Sequence, residues 1–389
     1  METTRIREID AIRAFALLGI LLGSIAYLSD PAHVAIGALP PTDDPVAFVV
    51  NALVFSKFYV IFAFLFGYSF TLQMRSWGEG RVRGRMLRRC LGLFALGVLH
   101  GFFLWFGDIL TLYAVLGVIL LLTRSVKPRT AVIAGSCLVG LVGLFWAGLG
   151  WLSTLAPANP IPAADPAAGA RALRLVTDGP LGFLTFQAEI YPPSALFVWG
   201  FQGPVALAMF LFGLAAGKTG LLERPELRQL LVARAQVIGF LVGLPGVLFL
   251  AWTSGRSDEV ALYGLAVNTV TSPFLAAAFV ATLLRVLRRF PAVTDVLSPA
   301  GRMAASNYIG QSVLIALLFT GYGLGLAGQL APPAVMGAAV VIYVVLLGLS
   351  SWWMRSHRHG PIEYGLRMVT QGTRRPVSRH FSAEPLRHR

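Results

Sequence analysis

"LHGFFLWFGDILTLYAV", residues 99–115, is an apolar and aromatic run that holds one histidine, His100, and one carboxylate, Asp108. Its tight turn, "WFGDI", divides two apolar stretches of helical length. Ionisable groups inside such stretches cost several kcal/mol if the surroundings are hydrocarbon, and they default to a functional expectation there. Whether the surroundings are a bilayer is decided by the rest of the chain.

The chain has 389 residues, of which 56% are hydrophobic and 13% charged, and its mean hydropathy is +0.71. Soluble domains carry about 25% charged residues. A chain this poor in charge lacks the polar surface to cover a water-soluble globule, and repeated apolar runs of about 20 residues mark transmembrane helices. The expected fold is an all-α polytopic transmembrane helix bundle. The apolar runs predict ten spans, near 9–28, 46–73, 90–106, 108–123, 130–153, 194–217, 235–253, 264–284, 303–322 and 334–354. The second is long for one crossing and reads alternatively as a surface helix over 46–56 followed by a shorter span. The opening "METTRIREIDAIRAFALLGILLGSIAYL" has the outline of a secretory signal. Its cleavage site is weak and further spans follow, so it reads as a retained first helix.

A net charge of +14 raises nucleic acid as a partner, but the basic residues sit in short clusters between apolar spans rather than in one patch. Nucleic acid is not expected. With the N-terminus in the cytoplasm, 28 of the 32 Lys and Arg fall on the cytoplasmic side, three (Arg171, Arg174 and Arg256) fall outside, and Lys57 lies within a span. By the positive-inside rule both termini are cytoplasmic, which predicts a multi-pass protein of the cell membrane. The domain plan is one transmembrane domain over 1–369 and a basic cytoplasmic tail over 370–389, whose arginines would attract anionic lipid headgroups. The outer loop 157–193, rich in Pro, Ala and Gly, is expected to pack over the outer mouth. Cys90 and Cys137 lack metal-ligand spacing and read as small buried apolar residues, and no metal is expected. No internal repeat is evident.

His100 lies 11 residues beyond Arg89, which at 1.5 Å per residue is roughly 16 Å from the cytoplasmic end, about mid-bilayer. It reads either as a packing histidine bonded to a backbone carbonyl or as a general base or nucleophile. Asp108 is expected to cap the span that follows, whatever else it does. Lys57, in "NALVFSKFYVIFAFLFGYSF", lies near the midplane or snorkels at the outer interface, with His100 or Asp108 as its expected partner. Asp10 and Arg13, one turn apart, form an ion pair. In "SPAGRMAASNYIGQS" (298–312), Arg302 precedes Asn307 and Gln311, which share a helix face. In "HGPIEYGLR" (359–367) stand Glu363 and Arg367. An arginine at a helix N-terminus beside a polar stripe is able to hold a phosphate; helix-to-helix bonding is the other reading.

Taken together, "RIREIDAIRAFALLGILLGSI", "KFYVIFAFLFGYSF", "LHGFFLWFGDILTLYAVLG", "GRMAASNYIGQS" and "GPIEYGLR" resemble, in order along nearly the whole chain, the DUF418/YeiB-like family of bacterial membrane proteins. The family pattern has glycine where this chain has Ala14 and asparagine where it has Ser24. That family is distantly similar to the transmembrane acyltransferase superfamily, which includes the lysosomal heparan-α-glucosaminide N-acetyltransferases. The resemblance implies a helix bundle in which acyl-CoA, as donor substrate, enters from the cytoplasm and an acceptor hydroxyl or amine is reached from outside. A sugar, a cell-envelope intermediate, a lipid headgroup or a small metabolite would each fit as that acceptor. His100 and Asp108 are then the expected catalytic pair. Arg88, Arg89, Arg302, Asn307 and Gln311 are expected around the CoA, and Lys57, Asp10, Arg13, Glu363 and Arg367 around substrate. Direct attack and an acyl-histidine route both stay open. The rival readings are a secondary transporter using the same buried groups and a non-catalytic scaffold. Small-residue faces such as "GLVGLFWAGLG" leave a homodimer open.

Overall fold

The computed structural model describes residues 6–31, 44–155, 165–256 and 258–371. Among them fifteen α-helices and one π-helical turn follow each other with no strand. They are α1 (Arg7–Ser29), α2 (Pro45–Leu53), α3 (Lys57–Trp77), α4 (Glu79–Phe103), α5 (Leu110–Leu122), α6 (Pro128–Thr154), α7 (Pro166–Thr177) and α8 (Gly179–Phe197). After the π turn (Val198–Gln202) come α9 (Gly203–Thr219), α10 (Pro225–Thr253), α11 (Glu259–Arg289), α12 (Pro291–Arg302), α13 (Ala304–Phe319), α14 (Pro332–Ser356) and α15 (Pro361–Gln371).

Local chemistry sets many of the starts. Proline opens α2, α6, α7, α10, α12, α14 and α15, where its missing N–H costs nothing. Asp44 caps α2 by accepting the Val46 and Ala47 N–H groups at 3.0 and 3.3 Å. Asp165 caps α7 through Ala167 N–H at 2.9 Å.

Eight stretches are long and apolar enough to cross a membrane, and α5 and α13 are shorter apolar helices. The packing has the arrangement that lipid requires. On α6, the inward face is Ala131, Gly135, Val139 and Gly143, while Leu141, Leu144 and Trp151 point outward at 60% exposure or more. In water that face would be an aggregation surface. In a bilayer it is solvated by acyl chains, and the small residues let neighbouring helices approach. The chain is a multi-pass helical membrane protein.

Each apolar run expected from the sequence is helical, with four differences of detail. The run 46–73 is two helices, α2 and α3, divided at 54–56, where Ser56 takes a φ of +69°. The expected loop 157–193 is largely helical: α7 and α8 occupy it from Pro166 onward. The proline pair Pro192–Pro193, just before the expected span 194–217, lies inside α8. The apolar stretch runs on to Thr219, through a π-helical turn over Val198–Gln202. Cys137 is exposed rather than buried, since it sits on the outward side of α6. The basic tail beyond Gln371 lies outside the described residues.

Two apolar clusters form the interior. One is built mainly from α3, α5 and α9 and includes Tyr68, Tyr113 and Phe210. The other joins Leu21, Ile25 and Leu28 of α1 to Trp105 and Phe106, Phe183 and Phe186 of α8, and Ile315 and Phe319 of α13. The chain passes from one cluster to the other at several places, two of which frame the site. Between α4 and α5, Phe106 belongs to the second cluster and Ile109 to the first. Along α13, Tyr308 belongs to the first and Ile315 to the second. Polar groups collect at this seam.

Candidate functional site

His100 lies in the last turn of α4, where its carbonyl accepts both the Leu104 and the Trp105 N–H at 2.9 Å. The chain reverses after it, and Asp108 comes back beside the imidazole. One carboxylate oxygen of Asp108, Oδ2, accepts the Thr111 N–H at 2.9 Å and so caps α5. The other, Oδ1, is 2.9 Å from His100 Nδ1. Two glycines on α4 make the approach possible. A Cβ on Gly97 would stand 2.6 Å from Thr111 N and 2.7 Å from Asp108 Oδ2. On Gly101 it would stand 2.3 Å from the Tyr191 ring of α8.

On the far side of the ring, His100 Nε2 is 2.8 Å from Ser312 Oγ, on α13. With Asp108 ionised and the imidazole neutral, Nδ1 donates to the carboxylate and Nε2 is left to accept the serine hydroxyl. Asp108, His100 and Ser312 are 1%, 1% and 6% exposed. The Tyr308 ring, one turn before Ser312, lies with its centroid 4.9 Å from that of the imidazole. A carboxylate orienting a histidine that faces a hydroxyl is the constellation by which serine hydrolases and acyltransferases activate oxygen, whatever their fold.

The sequence reading singled out both His100 and Asp108, but set them at different depths and missed Ser312. It took Asn307 and Gln311 as the polar stripe of α13. The adjacent stripe, Tyr308 and Ser312, also at i and i+4, is the one that faces α4. That spacing was the available signal. Asn307 and Gln311 instead bind helices together. Asn307 Nδ2 donates to Ala300 O at 3.0 Å and to Ser350 Oγ at 2.9 Å. Gln311 Nε2 donates to Leu17 O at 3.2 Å.

Lys57 is also fully buried, but its partner is neither His100 nor Asp108. Nζ donates to Asn51 O at 3.2 Å and to Asn268 Oδ1 at 3.3 Å. Asn268 Nδ2 in turn donates to Ser56 Oγ at 3.2 Å. The break before α3 turns the lysine toward α11, which residue spacing along a continuous helix does not foresee.

The phosphate reading of the α13 N-terminus meets an occupied site. Glu363 Oε1 accepts the Ala305 and Ser306 N–H groups at 2.7 and 3.1 Å, and Oε2 accepts the Ser306 hydroxyl. The anion at this helix end is therefore the chain's own carboxylate. Arg302 Nη2 donates to Arg358 O at 3.0 Å, and Arg367 Nη1 to His359 Nε2 at 2.7 Å. Arg13 pairs with Asp10 at 2.7 Å, as its spacing predicts, and also reaches Ser69 on α3. Arg88 Nε donates to Thr370 O at 3.2 Å, tying α15 to α4, and the Arg89 guanidinium lies 5.6 Å above the Phe66 ring. Among the described residues no group of three His, Cys, Asp or Glu is placed to hold a metal ion.

Comparison with known proteins shows what the chain is similar to. The sequence profile of the family described as "Protein of unknown function (DUF418)" matches residues 216–373, the part that carries Ser312, Glu363 and Arg367. The chain is 29% identical to the uncharacterized protein YxaH of Bacillus subtilis (strain 168), with 97% of each chain covered. It is 29% identical to an uncharacterized 39.9 kDa protein in the amylase 3' region of Bacillus acidopullulyticus, with 96% of each covered. It is 26% identical to the uncharacterized protein YeiB of Escherichia coli (strain K12), over 93% of this chain and 95% of the relative. These relatives extend the likeness to the part of the chain before residue 216, and together with the profile match they support a likeness to the DUF418/YeiB-like family.

Proposed function

We propose that this protein is a membrane-embedded acyltransferase that moves an acyl group, acetyl in the first instance, from cytosolic acyl-CoA to a hydroxyl or amine reached from the outer side. The observation that carries the reading is the buried Asp108–His100 pair with Nε2 turned to a hydroxyl. His100 acts as the general base and Asp108 holds its tautomer and orientation. In this proposal the protein lies in the cytoplasmic membrane with both termini inside. α4 carries His100 from the basic cytoplasmic face, where Arg88, Arg89 and Arg302 attract the CoA phosphates. The site is closed in this structure, so substrates enter as helices part. Pro192, Pro193 and the π turn interrupt the backbone ladder beside Tyr191, the ring that packs on Gly101. That interruption supplies the joint.

The test begins with the thermal midpoint of the detergent-purified protein, with and without acetyl-CoA and with ATP as the phosphate-only control. A ligand that binds only the folded state stabilises it by about 2.7 kcal/mol at a hundred times its Kd. The expected result is a rise with acetyl-CoA alone, followed by a loss of acyl transfer of about 100-fold or more in His100→Ala. A folded His100→Ala protein with full transfer would refute the assignment.

A second reading, secondary transport, is favoured by one other feature. Lys57, Asn51 and Asn268 form a separate buried polar cluster, and the helices α10 and α11 each contain a proline, Pro245 and Pro273. Buried polar groups beside interrupted helices are what transporters use. Gradient-driven uptake into proteoliposomes, without an acyl-CoA shift, would decide for it.

A further inference from the structure

Ser312 is the residue that the acyl-transfer reading leaves unexplained. Serine inside a helix ordinarily turns its hydroxyl back to the carbonyl four residues earlier. This chain does so at Ser24, Thr269 and Thr271, each at 2.8 Å. Ser312 Oγ is 3.3 Å from Tyr308 O but 2.8 Å from His100 Nε2. Of its two partners the imidazole is the nearer and the helix carbonyl the farther. The other candidate nucleophiles are elsewhere: Lys57 bonds to Asn51 and Asn268, and Cys90 is buried in the α3–α5–α9 cluster.

We propose that Ser312 is the nucleophile of a two-step transfer and carries the acyl group between donor and acceptor. The proposal rests on the acyltransferase reading and specifies its chemistry. In the first step Ser312 Oγ attacks the thioester carbonyl carbon. His100 Nε2 takes the hydroxyl proton, the C–S bond breaks, and the proton passes to the thiolate, giving free CoA and an O-acyl-serine. In the second step the acceptor hydroxyl or amine attacks that ester carbonyl and its proton goes to Nε2. The bond to Ser312 Oγ breaks and the serine oxygen takes the proton back. No oxidant, reductant or metal enters the balance. The burial that seals the site serves this route, because an acyl ester at Ser312 is kept from water until an acceptor arrives.

A two-step enzyme exchanges free CoA with the CoA of its donor when no acceptor is present, whereas direct attack does not. The experiment uses the full chain in detergent with acetyl-CoA and isotopically labelled CoA. Wild type is expected to exchange label, and Ser312→Ala to lose exchange by at least about 100-fold while acetyl-CoA still raises its thermal midpoint. Label supplied on the acetyl group should survive acid denaturation on the peptide containing Ser312, because an oxygen ester is acid-stable and an acyl-imidazole is not. Should Ser312→Ala fail to fold, Ser312→Cys keeps a nucleophile and should move the label to a thioester that hydroxylamine releases at neutral pH. Acetyl-CoA binding without exchange in wild type, exchange undiminished in Ser312→Ala, or exchange with no acid-stable label on the Ser312 peptide would each overturn the serine step and leave the acyltransferase reading standing. A folded wild type that neither binds acetyl-CoA nor exchanges label would overturn both.

Discussion

His100 and Lys57 are both ionisable, both buried and both inside apolar helices, yet their surroundings differ. His100 stands between a carboxylate and a hydroxyl. Lys57 has only neutral oxygens, at 3.2 and 3.3 Å, which are long contacts for an ammonium. A buried charge held this way returns little of its desolvation cost. Lys57→Met is therefore expected to raise the thermal midpoint and to leave acetyl-CoA binding and acyl transfer unchanged. A fall in midpoint together with loss of transfer would place Lys57 in the site after all. Asp108 could be singled out together with His100 from the sequence because the two lie on either side of one short turn. Ser312 could not, because it is more than two hundred residues away and only the packing of α13 on α4 brings it within reach.

At the level of elements, the two shorter apolar helices, α5 and α13, are the ones that bring Asp108 and Ser312 to His100. The 13 residues of α5 reach only about 20 Å, less than the roughly 30 Å hydrocarbon core. Their ends therefore lie among other helices, where polar side chains find partners. The start of α13 depends on Glu363 from α15, which accepts three donors there. Glu363→Ala leaves those donors without their acceptor, and a cost of about 1–3 kcal/mol is expected. It should appear as a lower thermal midpoint, and Glu363→Gln, which keeps an acceptor oxygen, should recover part of it. Equal midpoints for Glu363→Ala and wild type would mean that the cap contributes nothing to the fold.

Across the whole molecule, the asymmetry of Lys and Arg makes a topological prediction. Alkaline phosphatase fused within residues 156–165 is expected to be active, as it is only outside the cytoplasm. Fusions within 123–128 and after Gln371 should be inactive. The reverse pattern would invert the bundle and put the basic clusters of α4 on the wrong side for CoA. The outward leucines of α6 and the glycines it turns inward agree with lipid around the bundle and say nothing about which way up it sits, so charge alone carries the orientation.

The sequence by itself determined the helical, multi-pass character of this protein, because composition and apolar run length are properties of the chain that a bilayer reads directly. It also singled out His100 and Asp108, which stand on either side of one short turn, as buried ionisable groups. Tertiary structure alone decided that Ser312 completes that pair, that Lys57 turns away to Asn268, and that Glu363 fills the helix end expected to hold a phosphate. In each case the partner comes from a distant helix, and which face of a helix meets which neighbour is fixed by the packing of small and large side chains across the bundle rather than by any spacing within one segment.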